Sequence, residues 1–347
     1  MLFDICVFFA LVQCIWSQSP DSLSSSRGRC IDYQSEIDCS LDKCCEYEDE
    51  VDFRVMVLTY NRPESLRLSM MHLQQLKTDG DNVKIEIWID CSEDGTFDME
   101  TLRTAKSAAD NSPIPTRVNV WKSHVGIYGQ WINTWRPKVN TTEYALFVED
   151  DLDISPYVWI WVKAAREFYK GIPRLGSFSL KDQWIGKRII RAVGPDDPVF
   201  FHTCALPWGV IPKPEIWRGF QDWFFSVRND SSFHPYIPED VKHTNYYKTS
   251  ERKHNLSMWS MWFHYYTHMT DTLTLYPNLR AFTGRNIGLE YNRRAPGLHF
   301  SGYVHALTSD LYSQSLVTYL DPRYIQFPKE TKIINYDASL LGMVVVP

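Results

Sequence analysis

Four apolar runs constrain this chain most: RVMVLT (54–59), VKIEIWID (83–90), TRVNVW (116–121) and YALFV (144–148), each separated from the next by an amphipathic stretch. Short runs rich in β-branched residues make buried strands. Between them, Pro63 opens a helix with Leu66, Met70 and Leu73 on one face, and Asp98 caps a second with Leu102, Ala105 and Ala109 on one side. After the fourth run, Ser155 and Pro156 read as N-cap and first residue of a helix that stops at Gly171. Strand and helix in alternation specify an α/β fold with a mainly parallel sheet covered on both faces. Ligands of such sheets bind beyond the carboxyl ends of the strands. Thr59 to Arg62, Asp90 to Gly95 and Glu149 to Asp151 all lie there, so three polar clusters are expected to converge on one crevice.

The flanks read differently. Residues 1–17 carry an apolar stretch from Ile5 to Trp16 followed by Ser17, the length of a signal-peptide core or a short anchor and too short for a membrane span. A Ser-rich lead-in follows from residue 18. Then CIDYQSEIDCSLDKCC packs four cysteines into residues 30–45 and reads as a small disulfide-pinned cap. Zinc is the rival reading, disfavoured by the adjacent Cys44 and Cys45. Outside the leader stand six cysteines, Cys30, Cys39, Cys44, Cys45, Cys91 and Cys204, an even number that suits disulfides. With sequons at Asn140, Asn229 and Asn255, they point to the secretory pathway, the Golgi or ER lumen, or secretion.

Beyond residue 175 the pattern loosens. LGSFSL and TLTLYPN read as strands, KPEIWRGFQDWFFSV and SMWSMWFHYYTHM as helices, and the apolar SLLGMVVVP at the end is too short to cross a bilayer. At 347 residues and 44% hydrophobic, the chain can bury one large core. Its net charge of -6 leaves no electrostatic footprint for nucleic acid.

The triplet Glu149-Asp150-Asp151 raises the chemical question, because carboxylates that close repel one another and need a positive partner. A strand ending in acidic residues suits a hard divalent cation, Mn²⁺ or Mg²⁺, which takes one or two carboxylates and fills its other positions with water and phosphate oxygens. A metal–diphosphate unit is therefore the expected partner; an exposed acidic loop beside a helix N-terminus is the alternative. Arg62 can meet a phosphate, and Asp90 can accept a base or ribose hydrogen bond. No Gly-rich dinucleotide or Walker-type loop is present, which disfavours NAD and ordinary ATP sites.

In that order and spacing, RVMVLTYNRPESLRLSMMHL, IEIWIDCSEDG and ALFVEDDLDISPYVWIWV resemble the nucleotide-sugar half of the GT-A glycosyltransferases. The likeness is to the group of N-acetylglucosaminyltransferase I and the protein O-mannose N-acetylglucosaminyltransferase. It implies a Rossmann-like GT-A fold with a nucleotide-sugar half at 52–175, after the cap segment 18–51, and an acceptor-side half with a C-terminal extension at 176–347. It further implies a UDP-sugar donor, UDP-N-acetylglucosamine, and a glycan or glycoprotein acceptor. By the same resemblance Asp151 binds Mn²⁺, Glu149 and Asp150 face the sugar or ribose, Arg62 and Asp90 hold the uridine diphosphate, and Leu58 lines the uracil slot.

The resemblance frays at the catalytic base. Relatives carry an acidic helix start, where LSMWSMWFHYY has Ser260 and Met261. A Ser hydroxyl is a poor general base at neutral pH. Asp222, Glu251 and Asp271 are the substitutes, Asp222 first because aromatic neighbours in GFQDWFF could raise its pKa. His299 is a candidate to reach the metal from a late loop, against an ordinary structural role. Cys204 is the candidate partner of Cys91, because Tyr60 stands where the relatives have a cysteine. Three readings stay open: an inverting transferase, a retaining one that needs no base on that helix, and a secreted GT-A-like protein that binds nucleotide or glycan without transfer.

Overall fold

A computed structural model describes residues 27–180, 192–194, 196–205, 207, 209–254, 258–278, 290–292 and 326–347. The chain enters through β1 (Arg27–Arg29) and a 3-10 turn (Cys30–Asp32), then builds β2 (Phe53–Thr59), α1 (Pro63–Leu73), β3 (Val83–Ile89), β4 (Thr96–Asp98), α2 (Met99–Asp110), β5 (Thr116–Val120), α3 (Gly126–Asn133), β6 (Tyr144–Glu149), β7 (Leu152–Ile154) and α4 (Val158–Phe168). The four predicted strands are present as β2, β3, β5 and β6. Leu66, Met70 and Leu73 are buried on α1, and Asp98 caps α2 by accepting the Thr101 N–H at 2.7 Å.

The second part comprises β8 (Leu175–Ser179), β9 (Val199–His202), β10 (Val210–Pro212), α5 (Pro214–Val227), α6 (Val241–His254), α7 (Trp259–Met269), β11 (Leu273–Pro277), β12 (Glu290–Asn292), β13 (Glu330–Ile334) and β14 (Leu340–Val345). The apolar C-terminal run is therefore an antiparallel strand on β13. Among the described residues no helix is long and apolar enough to cross a membrane.

The first sheet runs β5-β3-β2-β6, parallel throughout. β2, β3 and β6 are buried with little alternation, as parallel strands covered on both faces are, while the edge strand β5 is partly exposed. The second sheet, β10-β8-β11-β9-β13-β14, mixes parallel and antiparallel pairs, and β10 lies beside β6. One continuous apolar core joins the two, with Trp131, Phe147, Trp217, Trp259 and Phe263 in mutual ring contact across it.

Two expectations need correction. Cys91 pairs with Cys30, not Cys204. The pairing of β1 with β4 and the Cys30 N–H bond to the Gly95 carbonyl at 2.9 Å bring the cap onto the turn after β3. Cys204 follows β9 in the other sheet. The cap holds a second bridge, Cys39–Cys45, while Cys44 and Cys204 are buried thiols, so the even count does not mean complete pairing. The helix expected after the fourth run, α4, starts at Val158, not Pro156. Ser155 follows β7, and its Oγ and carbonyl accept from the Tyr157 and Val158 N–H groups, so Pro156 and Tyr157 form a turn ahead of the helix.

Candidate functional site

The strand order puts β3 and β5 on one side of β2 and β6 on the other. The chain direction thus switches between β2 and β6, and a parallel sheet opens its ligand crevice at the carboxyl ends beside such a switch. Thr59 ends β2 there and Arg62 follows it, while Glu149 ends β6 and Asp150 and Asp151 come directly after.

Asp150 is fully buried at the centre. Its N–H donates to the Leu58 carbonyl at 3.1 Å, and its Oδ2 accepts from Thr59 Oγ1 at 2.6 Å and from Arg62 Nε at 3.3 Å. Arg62 also pairs with Asp150 Oδ1, and its Nη1 lies 3.4 Å from Asp151 Oδ2. Pro63 at the first helical position fixes Arg62 as the last residue before α1, aimed at the end of β6. Two serines of that helix clamp the turn. Ser65 Oγ donates to the Asp150 carbonyl at 2.8 Å, and Ser69 Oγ lies 2.9 Å from the same carbonyl and 2.6 Å from that of Leu152.

Glu149 is half-buried and accepts the Trp131 indole N–H at 3.2 Å. Burial and the charge of Asp151 push its carboxyl up to about 7. Burial also raises Asp150, to about 6, against the opposing pull of Arg62 and the Thr59 hydroxyl. Carboxyls held this far up are those whose ionised form lacks sufficient compensation, and such groups gather at functional sites. A divalent cation would supply that compensation. The donors are carboxylate oxygens, the type a hard cation such as Mn²⁺ or Mg²⁺ takes, and Asp151 is partly open to solvent, its side chain 14% exposed.

Asp90 takes a different place. Its Oδ1 accepts from the Cys91 and Val125 N–H groups at 2.8 and 3.0 Å, and its Oδ2 accepts from the Gly126 N–H at 2.9 Å, with His124 Nδ1 3.3 Å away. The carboxylate therefore anchors the start of α3, where Gly126 at φ +62° makes the turn a side chain would strain. Burial holds it above the ordinary carboxylate range, opposed by these N–H groups and His124. α3 returns to the site through Gln130, whose Nε2 donates to the Thr59 carbonyl at 2.8 Å, and through Trp131. Leu58 is buried in β2 between Trp88 of β3 and Glu149 of β6.

Of the base candidates, Asp222 lies on the outer face of α5, its side chain 64% exposed and 2.7 Å from Arg136 Nη2, without the desolvation expected from its aromatic neighbours. Asp271 is exposed and paired with Arg174, and Glu251 accepts from Tyr236. Ser260 is buried in the first turn of α7, and Trp259 before it stacks on Trp131 at 4.1 Å between centroids. The helix expected to carry a base therefore packs against the residue that binds Glu149, yet its first turn has no acidic residue. His299 lies outside the described residues.

Sequence reasoning missed Ser65, Ser69, Gln130 and Trp131. The serines fall four apart on α1 beside Leu66 and Met70, a polar stripe on a buried face that marks a contact with backbone. α3 itself gave no periodic signal. A cavity of about 770 Å³ lies elsewhere, lined by Tyr47, Asp49, Lys84, Glu86 and Arg117, where the charges pair with one another.

No family model matches the chain, and no curated protein does. Among solved structures it is similar to residues 1–349 of TarS from S. aureus, at 15% identity and a TM-score of 0.37, covering 66% of this chain and 60% of that one. The mannosyltransferase PcManGT from Pyrobaculum calidifontis, in complex with GDP-Man and Mn²⁺, is 13% identical over 52% of this chain and 49% of that one, with a TM-score of 0.34. TarS 1–349 in complex with UDP-GlcNAc is 14% identical over 48% and 46%, with a TM-score of 0.28. The chain thus spans less than two thirds of each. Likeness this distant carries neither activity nor substrate across; the chain's own residues must.

Proposed function

We propose that this chain is a GT-A-type glycosyltransferase that takes a nucleotide sugar, UDP-N-acetylglucosamine, and transfers the sugar to a glycan or glycoprotein acceptor. The observation that carries the reading is the triplet gathered with Arg62 at the switch point between β2 and β6, two of its carboxyls held well above their ordinary range. Asp151, the most outward of the set with Arg62 behind it, would hold Mn²⁺ or Mg²⁺ with the donor diphosphate. The bound cation offsets the charge that the departing diphosphate carries. Arg62 orients a phosphate oxygen, Leu58 and the Asp90-anchored start of α3 bound the nucleotide side, and Glu149 faces the sugar while the buried Asp150 holds Arg62 in place. The Trp131 indole keeps Glu149 in one orientation, and the Thr59 hydroxyl does the same for Asp150.

One observation favours a second reading, binding without transfer: Ser260 occupies the position expected of the base, and Asp222 is exposed and paired to Arg136. The two readings separate cleanly. A ligand of the folded state alone, present at about 100 times its dissociation constant, adds about 2.7 kcal/mol of stability. The chain is therefore expected to melt several degrees higher with UDP-N-acetylglucosamine plus Mn²⁺ than with either alone, and Asp151→Ala to lose the rise. A rise that survives in Asp151→Ala removes the metal assignment. Release of UDP in the presence of glycan acceptors supports transfer, and binding without any release supports the second reading.

A further inference from the structure

A second cluster of metal-ligating side chains lies in the other sheet. Cys204 follows β9, Asp240 and His243 stand at the entry to α6, and His264 sits in the middle of α7. One donor atom from each of the four comes within 4.8 Å of the others. Asp240 Oδ2 is the hub, 2.6 Å from His243 Nδ1 and 2.8 Å from His264 Nε2. Cys204, Asp240 and His264 are buried, and the side chain of His243 is 13% exposed.

As a purely hydrogen-bonded cluster this arrangement is poorly satisfied. Two imidazoles share one carboxylate oxygen, and the second ring nitrogen of His264, Nδ1, is buried with no hydrogen-bond partner. Nearby His202 accepts the Cys204 N–H on Nδ1 at 2.7 Å, while its Nε2 is likewise buried without one. Buried polar groups in native proteins find partners, so several in one place mark something not yet counted. A thiol, a carboxylate and two imidazoles around a common point are the mixed sulfur, nitrogen and oxygen donors that zinc takes in tetrahedral sites. The surroundings hold the donors in place: the Tyr276 hydroxyl donates to the Cys204 carbonyl at 2.8 Å, and the Tyr336 ring packs edge-on against His264 at 5.3 Å.

We propose that Cys204, Asp240, His243 and His264 form a structural zinc site. It ties the end of β9 to the start of α6 and the middle of α7 and so fixes α7, whose first residue, Trp259, stacks on Trp131. A four-ligand closed site has no open position for substrate, which sets it apart from the oxygen-rich triplet at β6. The inference stands apart from the reading of that triplet.

The test uses the full chain purified without chelator. Elemental analysis is expected to find about one zinc per chain, the stoichiometry of a closed four-ligand site, and to find it undiminished in Asp151→Ala. Replacing the metal with Co²⁺ should give the visible bands of tetrahedral cobalt together with a near-ultraviolet thiolate-to-cobalt band. Cys204→Ser should lose the near-ultraviolet band, and His264→Gln should lower the bound metal at least tenfold. A folded wild-type chain that neither retains zinc nor binds Co²⁺ in stoichiometric amount overturns the proposal. So does a cobalt spectrum without a thiolate band in the wild type, or zinc that disappears in Asp151→Ala. Should Cys204→Ser not fold, the wild-type cobalt spectrum still decides.

Discussion

Two charge clusters occupy opposite ends of the parallel sheet, and they handle charge in opposite ways. At the amino-terminal ends, Arg54 is fully buried and bonds Glu86 at 3.0 Å and Glu143 at 2.9 Å, while Lys84 meets Asp49 at 2.6 Å and Arg117 meets Glu86 at 2.8 Å. Three cations face three carboxylates, and Asn119 and the Trp135 indole add further donors to Glu86 and Glu143. At the carboxyl ends, among the described residues, Arg62 supplies the ion pairs to the Glu149-Asp150-Asp151 triplet. The first cluster is closed and holds strands together. The second keeps carboxyls under mutual repulsion, an arrangement that costs stability and is retained where a ligand supplies the missing charge.

The largest effect should come from opening the closed cluster. Arg54→Met leaves Glu86 and Glu143 buried without their shared cation, and breaking a buried pair from one side costs about 3–5 kcal/mol. Thermal unfolding should show a fall on the order of 10 °C, at a few degrees per kcal/mol in a chain of this size. If Arg62→Met costs as much, the contrast between the two ends is wrong.

The sign of the pH response separates the ends next. Glu149 and Asp150 are raised, to about 7 and about 6, so the folded state binds protons there more readily than the unfolded chain does. Their favourable contribution is complete below the ordinary carboxylate pKa of about 4 and is lost as pH rises through about 7. Without metal, the melting temperature should therefore decline by a few degrees between pH 5 and pH 8. Mn²⁺ with UDP-N-acetylglucosamine should remove the decline, and Asp151→Asn should shrink it by removing repulsion from Glu149. Asp49 in the closed cluster runs the other way. Although partly desolvated, it is held below the ordinary range by Lys84 and Arg54, so its contribution is present at neutral pH and lost as pH falls. A melting temperature that rises from pH 5 to pH 8 would show that the triplet is already compensated.

The contrast also explains what could be read from sequence. Strands β2, β3, β5 and β6 were legible because parallel burial leaves near-continuous apolar runs, and the triplet was legible because three acids at a strand end break such a run abruptly. α3 was not, because Gly126, Gly129 and its buried polar residues show no helical stripe; its start depends on Asp90, and Trp131 and Gln130 reach the site only through it. β9, β10 and β13 are short, and each depends on pairing with distant segments that local pattern does not encode. The Cys30–Cys91 bridge escaped for the same reason: β1 must first pair with β4 before the two cysteines meet. Asp222 is exposed although Phe220 and Phe224 of the same helix are buried, because neighbours in sequence fall on different faces of α5.

The smallest effect is the most specific to the open end. Ser69 is buried and its hydroxyl reaches the carbonyls of Asp150 and Leu152, while Ser65 reaches the Asp150 carbonyl alone. Removing one such hydrogen bond costs about 1 kcal/mol, so Ser65→Ala and Ser69→Ala should each lower the melting temperature by only a few degrees, Ser69→Ala by more. Both serines act on the backbone of the triplet and not on its charge. If the turn they clamp is what aims Asp151, the double variant should weaken Mn²⁺-dependent binding of UDP-N-acetylglucosamine beyond what its stability loss accounts for, with the pH response of the unliganded chain unchanged. Titration calorimetry measures the first and melting curves the second. Unaltered affinity in a folded double variant would mean that Arg62, Thr59 and Trp131 orient the carboxylates without the serines, and that α1 serves the site only by carrying Arg62 at its start.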